Sequence, residues 1–288
     1  MKPELREQLD RLTAYGPLAM ALDALPYYAT AEQIEARVDP RTERAIAARD
    51  GAIALIPVRG VIIPRARADS ARFNEVGAEN LATAVEAAVA DKRVKAIILD
   101  VDSPGGNVFG VQEAATRINA ARGRKPIVAH ADFLMASAAY WLAVATDEVI
   151  MSPSALVGSV GVISAHVDIS AMLDSFGVKI SVMSEPDAKR DGNPFEPLSE
   201  RARASTMERI GAVYDGFAGF VAERRGVDMA SVRADYAGVY TSKRAMKLGM
   251  VDKVRSMPDS VGAYVPVAPN APVARLQRQI DLCRLKAE

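Results

Sequence analysis

The sequence predicts an α/β protein, and three observations carry that prediction. Stretches of β-branched and apolar residues alternate with segments of helical spacing along most of the chain. One of them, VKAIILDVDS at 94–103, is apolar almost without a break, as a strand buried on both faces is. The intervening helical segments run to ten to fifteen residues, the length of a crossover between parallel strands. At 288 residues and 50% apolar content the chain can bury a substantial core.

The elements follow in order. Residues 1–50 are rich in Ala, Leu and charge and read as a helical N-terminal arm, ending in the polar stretch DPRTERAIAARDG. AIALIPVRGVII at 52–63 is β-branched and reads as a strand; PRARADSARFNEVGA is a polar loop; ENLATAVEAAVADKR has helical spacing. After the 94–103 strand come a helix from Val108 to Ala121, a strand at KPIVAHA, a helix carrying Ser137, a short strand at DEVIMS and another at VGVISAHVDI. A helix at 170–176 and a strand at VKISVMSE follow, then a mainly helical region from Glu200 to Arg225. SKRAMKLGMVDKV reads as a last helix stopped at Gly249, with a short strand after it. The Pro-, Ala- and Val-rich stretch 262–273 reads as a linker. The division is an arm at 1–50, a core at 51–258, and a linker with a short tail at 259–288.

Composition excludes several classes of function. Thirty-six Lys plus Arg balance 36 Asp plus Glu, so no long-range field draws the protein to a polyanion, and nucleic acid is not an expected partner. A single cysteine, Cys283, excludes an intrachain disulfide framework and any cysteine-built metal cluster, and suits a reducing cytoplasm. The apolar stretch Ala14–Leu25 is broken by Pro17 and Asp23, well short of the ~20 residues of a membrane span. No metal or organic cofactor is expected.

Three stretches could carry chemistry. DSPGGNVFG at 102–110 ends a buried strand in Pro-Gly-Gly before a helix. Glycines there let backbone N–H groups face outward, which suits an anionic oxygen but equally an ordinary tight turn. In FLMASAAYWLAV, 133–144, one serine stands in an apolar run. Ser137 either bonds back to its own helix or is presented at the strand-to-helix edge where ligands of parallel sheets bind. A nucleophilic serine needs a base. His130 and His166 both sit in strand-like segments, which leaves a Ser-His-Asp arrangement open through His130. Lys189, in the Pro-, Gly- and Asp-rich loop SEPDAKRDGNPFEPLSE, is the other base, or half of a solvated pair with Arg190.

Together, ILDVDSPGGNV, ADFLMASAAYWLAVATDEVIMSPSALVGSVGVISAHVDIS, KRDGNPFEPLSE and GVYTSKRAMKLGMVDKV resemble the signal peptide peptidase A family of serine proteases, and within it the phage capsid-assembly branch. The resemblance runs from about Ala52 to Val254. It implies a ClpP/crotonase-like spiral core of repeated β-β-α units with a helical C-terminal region. By the same resemblance Ser137 is the nucleophile, Lys189 the general base, and Ser159 in GSVGV the hydroxyl that orients the lysine amine. Gly105 and Gly106, with the N–H of Ala138, form the oxyanion hole.

Two departures stand out. Ala138 and Ala139 occupy positions where the family commonly has glycine after the nucleophile, which puts substrate preference in doubt, and YTSKRA replaces the usual TGRQA. The resemblance further implies protein or peptide substrates, capsid and scaffold proteins among them, a homo-oligomeric ring, and a location in the host cytoplasm or prohead interior. Alternatives are a cytoplasmic bacterial signal-peptide-peptidase-like protease, a crotonase-like acyl-CoA enzyme using the glycine turn for a thioester enolate, and a non-catalytic assembly protein.

Overall fold

The computed structural model describes the backbone of residues 18–20, and residues 53–66, 70 and 74–264. The expected helical arm at 1–50 lies outside the described residues except for Leu18–Met20, which form a strand, β1. The other strands are β2 (Ile53–Ile63), β3 (Glu75–Gly77), β4 (Ala96–Asn107), β5 (Ile127–Ala136), β6 (Glu148–Met151), β7 (Leu156–Gly158), β8 (Val239–Thr241) and β9 (Lys253–Val254). The α-helices are α1 (Ala78–Ala90), α2 (Val111–Ala121), α3 (Ala138–Val144), α4 (Ser170–Ser175), α5 (Glu200–Arg225), α6 (Met229–Asp235), α7 (Ser242–Lys247) and α8 (Met257–Tyr264).

The expected α/β class is what these elements build. One sheet runs in the order β3-β2-β4-β5-β6-β9, its ladders parallel, while β1 pairs with β4, β7 with β5, and β8 with β7. The unbroken apolar run at the start of β4 is explained by its place: Ala96 to Val101 are all buried, with β2 on one edge and β5 on the other. Helices α1 and α2 turn Leu81, Val85, Val111, Ala115 and Ile118 onto one face of the sheet, at the three- and four-residue spacing of a helix stripe. On the other face Ile98, Val128 and Ile150 are covered by Met257, Val261 and Tyr264 of α8. The core therefore continues past 258 into α8, and the linker expected from 259 begins inside that helix; residues 265–288 lie outside those described.

Three sequence expectations are corrected. Helix α2 starts at Val111 rather than Val108, because the Asn107 side chain accepts the N–H of Phe109 (2.8 Å) and closes a turn first. No strand forms at VGVISAHVDI, 160–169: the strand lies ahead of it, at Leu156–Gly158, and ends where φ is positive at Gly158 and Ser159. VKISVMSE forms no strand: no described segment pairs with it, and between Gly161 and Arg201 no residue is buried.

Candidate active site

Ser137 stands where β5 ends and α3 begins. Its run is apolar on both sides for two different reasons. Leu134 to Ala136 pair with Leu156 to Gly158 of β7, whereas Ala138 to Val144 are a helix buried at every position. The serine itself has φ 54° and ψ −120°, a left-handed conformation that an L-residue adopts at a cost of order 1–3 kcal/mol. What holds it there is the surrounding hydrogen bonding. Its N–H donates to the carbonyl of Gly158 at 2.8 Å, and its own carbonyl accepts from Trp141 at 2.9 Å. Trp141 in turn stacks on Phe217 of α5 with ring centroids 4.6 Å apart, locking α3 from behind.

The hydroxyl at this strained corner is fully buried and has no hydrogen-bond partner. An unpaired buried hydroxyl costs about 1–3 kcal/mol. It is therefore not the back-bonded helical serine that was one reading of the sequence.

The glycine turn lies alongside. Gly105 and Gly106 belong to the end of β4 and are buried, with Gly105 at φ 99°. At Gly106 a Cβ would stand 2.0 Å from the carbonyl oxygen of Ile62, so glycine is required for β2 and β4 to approach. Ser103, also buried, shapes the turn: its hydroxyl donates to the carbonyl of Gly60 at 2.6 Å and accepts the N–H of Gly105 at 3.2 Å. The β4–β5 ladder carries Ser103 opposite Met135, which brings the turn to the strand that ends in Ser137.

Ser159 is brought close through the chain, since it follows the Gly158 whose carbonyl holds Ser137. It too has positive φ, 57°, and its N–H donates to Gly238 at 2.8 Å. Gly238 leads into β8, so GVYTSKRA, to which the sequence reading gave no role, braces β7 and through it the serine corner. A Cβ at Gly158 would lie 2.2 Å from the Gly238 carbonyl, a constraint that shows only once β7 and β8 are paired. Ala138 and Ala139 are buried in the principal core, so their methyl groups pack inward.

Lys189 is the residue the chain does not bring in. It is exposed, in a single 3-10 turn, Asp187–Arg190, and no side chain reaches the Ser137 hydroxyl. The turn is tied down around it. Arg201 pairs with Asp187 at 2.7 Å and with Asp191 at 2.8 Å, and Arg190 with Asp187 at 2.8 Å. These pairs hold both aspartates below the usual carboxylate range, the hydrogen bonds from Arg201 being the largest cause.

The histidines are not the base. His130 is fully buried, its Nδ1 2.9 Å from the Ser260 hydroxyl and its Nε2 3.1 Å from that of Ser152. Burial pushes its pKa down, against the pull of Asp132 and Asp100. Asp102 nearby is pushed up by burial. His166 contacts the backbone carbonyl of Glu196. A Ser-His-Asp triad through Ser137 is thereby excluded.

A buried, unpartnered serine at positive φ between a strand and a helix of an α/β sheet has the form of the nucleophile elbow that hydrolases use. Comparison with known proteins narrows the class. Residues 119–263 match the model of peptidase family S49, and the chain belongs to that family. It is 32% identical over 222 residues to capsid assembly protease C of Escherichia phage lambda, covering 77% of this chain and 50% of that protein. It is 30% identical over 209 residues to head-tail preconnector protein GP5 of Enterobacteria phage P21, covering 73% and 42%. The chain thus spans about half the length of these relatives. A ClpP1 mutant from Listeria monocytogenes superposes over 77% of this chain and 99% of its own, with a TM-score of 0.45 and 14% identity. Among the described residues no helix is long and apolar enough to cross a membrane.

Proposed function

We propose that this chain is a serine endopeptidase of a capsid-maturation type, with Ser137 as nucleophile and Lys189 as general base. The observation that carries the reading is Ser137 itself: buried, held at positive φ, without a partner, and beside the glycine end of β4. Its hydroxyl attacks the carbonyl carbon of a peptide bond. The N–H groups of Gly105, Gly106 and Ala138 take the oxyanion, and the amine of Lys189, oriented by Ser159, accepts the serine proton and passes it to the leaving amine. Capsid and scaffold proteins are the proposed substrates, by analogy with the relative named a capsid assembly protease, and the prohead interior or host cytoplasm is the proposed place of action.

Lys189 reaches the serine of a neighbouring copy in a homo-oligomeric ring. Two features support this. The segment that bears it carries Phe176 at 74% exposure and Met183 at 91%, apolar surface that a second copy would cover. The buried serine, moreover, is incomplete without a base from elsewhere.

The test is complementation. Ser137→Ala and Lys189→Ala each lower cleavage of an unfolded test protein by about 1,000-fold or more, with no fall in melting temperature. Co-assembled in equal amounts they recover about a quarter of wild-type activity, since half the serines are intact and half the lysines beside those are. Activity retained in either single variant overturns the dyad, and no recovery on mixing overturns its sharing between copies.

A further inference from the structure

Building on the protease reading, we infer that residues 18–20 lie in the position of a bound substrate strand, and that the peptide bond after Met20 is the chain's own first cleavage site. Strand β4 has β2 on one edge as far as Gly106, through Val61 opposite Gly105 and Ile62 opposite Gly106. On its other edge β5 runs parallel, and its last pair is Ser103 with Met135. Two residues further on, β5 has turned at Ser137 into α3. Had the ladder continued, residue 137 would stand level with residue 105, so the turn vacates the edge of β4 beside the candidate oxyanion donors.

β1 fills that edge. It pairs antiparallel, Leu18 opposite Asn107, Ala19 opposite Gly106 and Met20 opposite Gly105. With β2 already on the far side of Gly105 and Gly106, β1 can take only the edge that β5 has left. Strand addition of this kind is how extended peptides are recognised by main-chain bonds, and side chains matter less to it than backbone. The direction is also productive. Read from N- to C-terminus, β1 runs from Asn107 towards Gly105, and Met20 is the residue that arrives at the level of the nucleophile. Ser137 is fully buried, as a nucleophile beneath an occupied strand position is.

The step balances with the groups already named. Ser137 Oγ bonds to the carbonyl carbon of Met20, the bond from that carbon to the nitrogen of Ala21 breaks, and the serine proton reaches that nitrogen through Lys189. Water then cleaves the ester, leaving a carboxylate on Met20 and restoring the serine hydroxyl. Until that cut β1 occupies the edge of β4 that another chain would need; after it, β1 can leave that edge.

Wild type, Ser137→Ala and the double variant Leu18→Pro/Ala19→Pro test this. Adjacent N–H groups of an edge strand point alternately towards and away from its partner, so one of the two prolines must remove a bond to β4. Followed by intact mass, wild type releases the fragment 1–20, Ser137→Ala does not, and the proline variant does so about tenfold more slowly. Wild type cuts an unfolded test protein after a lag that ends as the fragment appears; the proline variant shows no lag. Backbone hydrogen exchange at Gly105–Asn107, measured without chemistry in the Ser137→Ala background, rises about tenfold when the prolines are added. Cleavage of the test protein without a lag, while the 20–21 bond stays intact, overturns the inference and spares the protease reading. A wild type that cuts nothing overturns both. Equal exchange with and without the prolines overturns the occupancy of the edge.

Discussion

The two halves of the proposed site are built in opposite ways. Ser137, Gly105 and Gly106 are buried among strands whose register fixes them, whereas the segment from Gly161 to Arg201, with Lys189 on it, has no buried residue. The first half is preorganised by a core that forms when the chain folds. The second is held mainly by surface ion pairs such as those of Arg201, which solvent screens. A catalytic pair divided in this way would be inert in a lone molecule and competent only where copies meet.

That contrast can be broken first at its rigid end. Gly106→Ala places a Cβ 2.0 Å from the Ile62 carbonyl and forces β2 away from β4. We expect it to lose activity and about 2–4 kcal/mol of stability together, read from denaturant unfolding. Unchanged unfolding would mean that the glycine edge is softer than the packing implies. At the exposed end, Phe176→Asp with Met183→Asp should leave unfolding within about 0.5 kcal/mol of wild type. Its effect should appear instead as dissociation in sedimentation and as loss of activity at low protein concentration. A variant that stays assembled and active would remove the apolar segment from the interface.

The smallest effect should come from the polar network on the sheet face opposite α1 and α2. His130 is held neutral by burial, so its folded pKa lies below the unfolded value near 6.5. The unfolded chain therefore binds the extra proton first, and stability falls as pH drops below about 6.5. Asp132, Asp100 and Arg255 are the charges that act on this histidine. His130→Gln should flatten the melting temperature between pH 6.5 and 5; an unchanged slope would assign the acid sensitivity to other groups.

Much of the sheet was legible in the sequence because continuous apolar runs such as 96–101 have few other places to go. The serine corner was legible only in part. Residues 133–136 and 138–144 are equally apolar, and period alone cannot tell a short buried strand from a short buried helix. The break at Ser137 emerges from pairing with β7. Alternation in VKISVMSE suggested a strand for a sound local reason, but a strand needs a neighbour, and none is present among the described residues. The glycine turn could be read from its residue types. The bracing of Gly158 by Gly238 could not, because those glycines are eighty positions apart. Lys189 was found through the motif around it rather than through its surroundings, which in the folded chain are solvent and acidic neighbours.

Helix α5 has a further consequence. Its 26 residues make a rod about 39 Å long, capped at the start by Ser199 and pressed by Phe217 against the Trp141 that lies behind Ser137. The root of the lysine-bearing segment thus lies roughly 25 Å along the rod from that contact. Such a rod is a ruler: its length sets how far the start of the helix, where the segment bearing Lys189 joins it, is carried from the Trp141 contact.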